Sequence, residues 1–211
     1  MNAPRLLEDE VHLWRAPLNL RAERLSRFEK ILAPEETLRA QRFSVQRARD
    51  EYIAARGFLR AILGAYLQTP PQNVELGYGK YGKPFLKNGK LEFNLAHTAG
   101  LALIAVGVGA PLGVDVERAR ALPEAPDIAR RFFSRAEQDI FFASAEKEKT
   151  FFELWARKEA RLKALGRGLL YKEKEEEIFC VSFTPQERYA AALAVQSETP
   201  RRLIFFDAEN L

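Results

Sequence analysis

Phe151-Phe-Glu-Leu-Trp-Ala-Arg-Lys-Glu-Ala-Arg-Leu-Lys-Ala-Leu-Gly-Arg-Gly-Leu169 reads as a helix with a defined end. Phe151, Leu154, Leu162 and Leu165 recur at helical spacing and form one apolar stripe. Lys158 interrupts that stripe where an apolar residue is expected. Trp155, Glu159 and Lys163, four apart, line an adjacent face, and Gly166 and Gly168 stop the helix. A Glu and a Lys four apart are commonly a solvated pair worth about a few tenths of a kcal/mol, so this helix alone does not separate a surface pair from a working one.

Upstream, Ser134 is placed to cap the helix that precedes this one, and Asp127 to Phe133 reads as a short helix behind a loop marked by Pro123 and Pro126. Before that loop stands Val114-Asp-Val-Glu117. Strand side chains alternate, so Asp115 and Glu117 point one way and Val114 and Val116 the other. Two carboxylates on one face repel unless solvent or a cation separates them. A solvated acidic face and a divalent-cation site both satisfy this, and magnesium needs only one or two carboxylates plus phosphate. Downstream, Lys172 to Glu177 reads as an exposed charged turn, and Ile178–Phe183, Tyr189–Val195 and Leu203–Phe206 as strands of an antiparallel sheet.

The N-terminal part has the same ingredients. Val11–Trp14 is a short strand ended by Pro17, Asn19 to Leu32 is helical, and Pro34-Glu-Glu opens another helix. Leu38 to Leu67 is helix-rich, and Arg39, Arg42, Arg47, Arg49, Arg56 and Arg60 give it a basic surface, either solvated or a rim for phosphates. Thr69-Pro-Pro-Gln is a linker and Val74–Tyr78 a strand, followed by a tight turn at Gly79-Lys-Tyr-Gly-Lys-Pro84. That turn lacks the order of a P-loop and leads into no helix. It is a hairpin turn whose glycines would also admit a ligand beside Lys80 and Lys83. Leu91–Thr98 precedes the buried strand Leu101–Gly107, with His97 in the intervening loop, where a histidine is structural more often than functional. Arg42-Phe43, a helix ending Leu63-Gly64 and a strand are echoed by Arg131-Phe132, a helix ending Leu165-Gly166 and a strand. The expected architecture is therefore α+β: two similar halves, 1–111 and 112–211, in a pseudo-two-fold arrangement with a cleft between them.

A chain of 211 residues with 47% apolar and 29% charged residues can build a sizeable core. No run reaches the roughly 18 apolar residues of a membrane span, and the acids of Met1-Asn-Ala-Pro-Arg-Leu-Leu-Glu-Asp-Glu10 occupy the place of a signal peptide's apolar core. The cytoplasm is the expected compartment, with no membrane partner. One cysteine, Cys180, excludes an internal disulfide framework and is expected on a strand, buried or half-buried. A net charge of +4 and a pI near 9.2 favour an acidic partner or ligand. The Arg-rich helices permit a nucleic-acid module, but no such motif is present and the aromatics are not interleaved with the basic residues, so no nucleic-acid partner is expected.

Order joins these features. Gly82-Lys-Pro84, Phe93-Asn-Leu-Ala-His-Thr98, Gly113-Val-Asp-Val-Glu117, Arg131-Phe-Phe-Ser134, and Trp155-Ala-Arg-Lys-Glu159 with Lys163 and Gly166-Arg-Gly-Leu169 together resemble the 4′-phosphopantetheinyl transferase superfamily. The likeness is to its pseudo-dimeric, broad-specificity members and covers most of residues 34–170. It implies an enzyme that moves phosphopantetheine from coenzyme A to a serine of an apo acyl or peptidyl carrier protein, releases 3′,5′-ADP and acts as a monomer. It implies magnesium held by Asp115, Glu117 and Glu159, with Glu159 and Lys163 catalytic. It further implies coenzyme contacts from Lys83, Pro84, His97, Thr98, Lys158, Lys163 and Arg49, the N-terminal half being the coenzyme side and the C-terminal half carrying the metal and the catalytic helix. A non-catalytic coenzyme A-binding protein of the same fold is the alternative. Intact Asp115, Glu117, Glu159 and Lys163 argue against it, because buried charges are costly to keep without a use. Three positions depart from the family pattern: Ala96 precedes the histidine in place of a hydroxyl residue, and Glu36 and Glu51 stand where basic residues are common. The 3′-phosphate contacts are where these departures matter, and Arg39, Arg42 and Arg49 are the candidates to compensate.

Overall fold

The computed structural model describes residues 3–87, 89, 91–171 and 177–210; most of the charged run at 172–177 lies outside them. Strand β1 (Glu10–Pro17) is followed by helices α1 (Ala22–Glu29), α2 (Pro34–Gln41) and α3 (Gln46–Leu67). A short hairpin, β2 (Leu76–Tyr78) and β3 (Pro84–Leu86), precedes β4 (Leu91–Thr98), β5 (Leu101–Val108) and β6 (Leu112–Arg118). Helices α4 (Ala125–Phe132), α5 (Arg135–Ala143) and α6 (Lys147–Leu165) come next, and β7 (Phe179–Phe183), β8 (Tyr189–Val195) and β9 (Arg202–Asp207) close the chain. Ser134 caps α5 by accepting from the Glu137 amide, while the Glu137 carboxylate accepts from the Ser134 amide. Gly166 ends α6 in the left-handed conformation, φ 61°.

Besides the two-stranded β2-β3 pair, the described residues form two larger sheets, with strand orders β4-β5-β1-β9 and β6-β8-β7. They face each other across one apolar layer. Val11, Leu13, Ala96 and Leu103 of the first sheet join Leu112, Val114, Val116 and Leu193 of the second in a single buried cluster. The other face of the first sheet packs on α3, with Phe93, Ile104 and Val106 against Phe58, Leu59 and Leu63. The other face of the second packs on α6. Each half is thus a long helix on a sheet, and the halves meet sheet to sheet, as the two-half α+β expectation requires.

The final strand corrects part of that expectation. β9 does not join β7 and β8; it pairs in parallel with β1, from Glu10↔Arg202 to Arg15↔Asp207. Ion pairs close both ends of the ladder, Arg202–Glu10 at 2.7 Å and Arg15–Asp207 at 2.6 Å, and Phe206 stacks on Trp14 with ring centroids 4.7 Å apart. The second half therefore lends the first its edge strand.

The basic surface expected along α3 is only partly there. Arg39, Arg42 and Arg47 are exposed, but Arg56 and Arg60 are buried and clasp Glu36, itself 1% exposed. Arg56 Nε donates to one Glu36 oxygen at 2.6 Å and Arg60 Nε to the other at 2.5 Å. The Glu36 carboxylate also accepts from the Ala33 amide at 2.9 Å, and Arg60 donates to the Pro71 and Val74 carbonyls. Glu36 is therefore the electrostatic centre of the α2–α3 junction. His97, expected in a loop, lies on β4 opposite Ala102. Cys180 is half-buried on β7.

Candidate active site

The approach of α6 to the second sheet is set by small residues. Ala156, Ala160 and Ala164, four apart, pack on Ala192 and Ala194 of β8. Gly113 of β6 lies so close that a Cβ there would fall on the Ala160 carbonyl and the Ala164 amide nitrogen and within 2.8 Å of Lys163 Cβ. Phe151, Leu154 and Leu162 of the expected stripe are buried and Leu165 is half-buried, but the alanine ridge makes the closest contact. Alanines four apart on a helix, opposite a glycine in a strand, are the signal that a search for large apolar residues passes over.

This close packing drops Lys163 onto β6. Its Nζ donates to Asp115 Oδ1 at 2.6 Å and reaches the Val114 carbonyl at 3.4 Å. Asp115 is 5% exposed, and its Oδ2 has no hydrogen-bond partner among the described residues. Burial pushes the Asp115 carboxyl above its ordinary pKa, against the opposing pull of Lys163. Glu117, two residues on and on the same face, is pushed up to about 7, first by burial and then by the charge of Asp115, with Glu159 adding to it and Arg120 and Lys163 opposing. Glu159 is raised by burial, with Lys163 opposing and Asp115 adding. The three carboxylates and one lysine thus share one electrostatic neighbourhood, built from β6 and α6.

Asn94 fixes this neighbourhood to the first half. Its buried side-chain oxygen accepts from the Val114 amide at 2.9 Å, tying β4 to the edge of β6 next to Asp115. Lys83, in the turn between β2 and β3, donates to the Leu112 carbonyl at 2.8 Å, and burial lowers its pKa. Pro84 opens β3 opposite Tyr78. His97 is accessible to solvent, yet desolvation holds its pKa below the ordinary imidazole value; Glu51 opposes this, and Lys163, Arg39 and Arg56 add to it. Groups from α2, α3, β4 and α6 therefore converge on His97. Alternation along β4 puts Ala96, in the inter-sheet core, and Thr98 on the face opposite His97.

Two further residues of interest have surroundings beyond this cluster. Arg49 pairs with Glu29 of α1 at 2.9 Å. Lys158 lines a cavity of about 600 Å³ beside Arg131, Arg161 and Tyr171, while still within electrostatic reach of Glu159. A second cavity, about 640 Å³, lies where α2 and α3 meet the β2–β3 turn, lined by Arg39, Arg42, Phe43, Tyr52, Tyr78 and Gly82. Arg39 lines this cavity and, with Arg56, lies within electrostatic reach of His97, whereas Arg49 is held by Glu29.

Comparison with known proteins identifies the family. The profile described as 4′-phosphopantetheinyl transferase superfamily matches residues 111–207, and that described as 4′-phosphopantetheinyl transferase, N-terminal, matches residues 19–108. The 4′-phosphopantetheinyl transferase HetI of Nostoc sp. is 39% identical over 189 residues, 86% of this chain and 78% of the relative. The chain belongs to the 4′-phosphopantetheinyl transferase superfamily. Its similarity extends to the 4′-phosphopantetheinyl transferase Sfp of Bacillus subtilis, 28% identical over 153 residues, 71% of this chain and 67% of the relative. The superfamily member described here is an enzyme, a phosphopantetheinyl transferase of the Sfp-like type. Among its described residues no helix is long and apolar enough to cross a membrane.

Proposed function

We propose that this phosphopantetheinyl transferase takes coenzyme A as donor and a serine hydroxyl of an apo acyl or peptidyl carrier protein as acceptor, in the cytoplasm and with magnesium. The observation that carries the reading is the buried Asp115 with one oxygen on Lys163 and the other without a partner among the described residues, beside two carboxylates whose protonation is favoured first by burial, with the Asp115 charge adding to it.

That donor set fits a hard dication. Among the described residues no three acidic, histidine or cysteine side chains already converge as a metal cage, but magnesium takes one or two carboxylates and completes its shell with water and phosphate. Asp115, Glu117 and Glu159 would hold it, and when bound it neutralises the pyrophosphate oxygens as charge moves to the leaving phosphate.

The residues then divide the work. Glu159 accepts the serine proton, directly or through a water, as Oγ bonds to the β-phosphorus of coenzyme A. The bridging P–O bond breaks, and 3′,5′-ADP leaves with the electron pair. Lys163 and Lys158 meet phosphate oxygens. Lys83 and Pro84 border the coenzyme from the β2–β3 turn. His97, with Arg39 and Arg42 in place of Glu36 and Arg49, receives the 3′-phosphate end in the cavity between α2 and that turn. Halves 1–111 and 112–211 supply the coenzyme side and the metal side respectively, with β9 crossing back.

The test is incubation with coenzyme A, magnesium and a panel of apo carrier proteins, reading the mass of each. One phosphopantetheinyl group should be added to at least one carrier. Asp115→Ala should abolish the gain with the fold intact, and Glu159→Gln should slow it by about two orders of magnitude or more. A normal rate in Asp115→Ala would remove the metal assignment.

A further inference from the structure

We infer that Tyr78 is a donor-specificity residue, an aromatic platform for the purine of the coenzyme, held in place by the buried Glu36–Arg56 pair. The inference rests on the reading that the cavity between α2 and the β2–β3 turn takes the nucleotide end of coenzyme A.

Tyr78 lines that cavity and is 43% exposed, a large share for an aromatic side chain at the end of a strand. Exposed rings usually swing freely, but this one does not stand alone. Its hydroxyl accepts from Arg56 Nη2 at 2.8 Å, and the Arg56 guanidinium lies 5.9 Å from the ring centroid. Arg56 is in turn fixed by Glu36, whose second oxygen is taken by Arg60. The anchor is thus a buried, three-membered charge cluster at the α2–α3 junction, and the free end is a ring face open to the cavity.

Two features make this a base site rather than a packing accident. The cavity pairs aromatic walls, Tyr78, Tyr52 and Phe43, with two guanidinium groups, Arg39 and Arg42; this is the combination that takes a stacked base and its phosphate together. The buried cluster also carries two cations against one carboxylate, and with Arg39 and Arg42 it outweighs Glu35 on the cavity wall, which favours an anion there. Clamping the hydroxyl fixes the ring before the ligand arrives, which lowers the ordering cost of stacking on it. Tyr78 touches the donor; Arg56 and Glu36 are positioning residues.

The experiment measures binding of 3′,5′-ADP and of inorganic pyrophosphate to the full chain, with steady-state kinetics for coenzyme A. Tyr78 is exposed, so its variants should fold, which circular dichroism and melting check. Tyr78→Ala should weaken 3′,5′-ADP binding roughly tenfold, the range expected for loss of one stacking platform. It should raise KM for coenzyme A by a similar factor, leave kcat at saturation unchanged and leave pyrophosphate binding unchanged. Tyr78→Phe keeps the ring and should stay within about threefold of wild type. Equal weakening of both probes, or wild-type binding by Tyr78→Ala, overturns the role of Tyr78 while leaving the transferase reading intact. No binding of either 3′,5′-ADP or coenzyme A by the wild-type chain overturns that reading and this inference with it.

Discussion

Glu117 shows how one residue records the chemistry of the site. Its carboxyl is pushed from 4.5 up to about 7 by burial and by the charges of Asp115 and Glu159. A folded pKa above the unfolded one means that protonation favours folding. This contribution is complete below about pH 4.5 and is lost as pH rises through about 7. Without metal, Glu117→Gln should therefore be more stable than wild type at pH 8, by about 1–2 kcal/mol once solvent screening of this half-buried carboxyl is counted, and no different at pH 4. Thermal melts of both proteins at the two pH values check this. Added magnesium should shrink the difference, because a dication relieves the same repulsion. Equal melting at pH 8 would show that Glu117 carries no such cost.

At the scale of elements, the decisive contact is α6 on β6. Ala160 and Ala164 against Gly113 bring Lys163 to Asp115, a distance that larger residues would lengthen. Gly113→Val should push the helix outward. The expected outcome is a stability loss of about 1–3 kcal/mol together with at least tenfold lower transfer activity at a temperature where the variant is still folded. Circular dichroism combined with the mass assay separates the two effects. Activity that falls only in proportion to the unfolded fraction would mean that the separation of α6 and β6 does not limit the reaction. Gly113 was visible in the sequence as part of Gly113-Val-Asp-Val-Glu117, but its role was not, because the atoms it must admit come from a helix some 50 positions away.

At the scale of the molecule, the loop after β6 and the helices beside it enclose an apolar hollow with arginines near its rim. A cavity of about 350 Å³ between the loop after β6 and helices α5 and α6 is lined by Leu122, Pro123, Pro126, Phe142 and Phe151. Arg120 sits over the Phe152 ring at 5.1 Å and Arg130 over Phe142 at 5.3 Å, with exposed Arg118 nearby in sequence. An acidic carrier protein with an apolar contact residue fits such a rim. Charge on the rim acts mainly on association and its salt dependence. Arg120 is less suitable as a probe, since it is close enough to Glu117 to lower its pKa. Arg118→Glu with Arg130→Glu should raise KM for the carrier about tenfold, flatten its salt response and leave KM for coenzyme A unchanged. Kinetics against both substrates at low and high salt decide it; a rise in KM for coenzyme A instead would put this rim on the nucleotide side.

The amino-acid sequence by itself determined the helix ending at Gly166, the shared face of Asp115 and Glu117, the cap at Ser134, the two-half architecture and the ordered motifs that mark the family. These depend on local periodicity, on turn chemistry and on linear order, all of which are written along the chain. Only the tertiary structure decided that β9 pairs with β1, that Arg56 and Arg60 leave the surface for Glu36, and that His97 stands on a strand. A strand's apolar pattern says which face is covered, not which neighbour it bonds, and Arg202 meets Glu10 across nearly the whole chain. An arginine on a helix is solvated or buried according to whether a carboxylate reaches it. The sequence lists Glu36, Arg56 and Arg60 as an acid on one helix and two bases on another; folding packs those helices, removes the three charges from solvent and pairs them with one another.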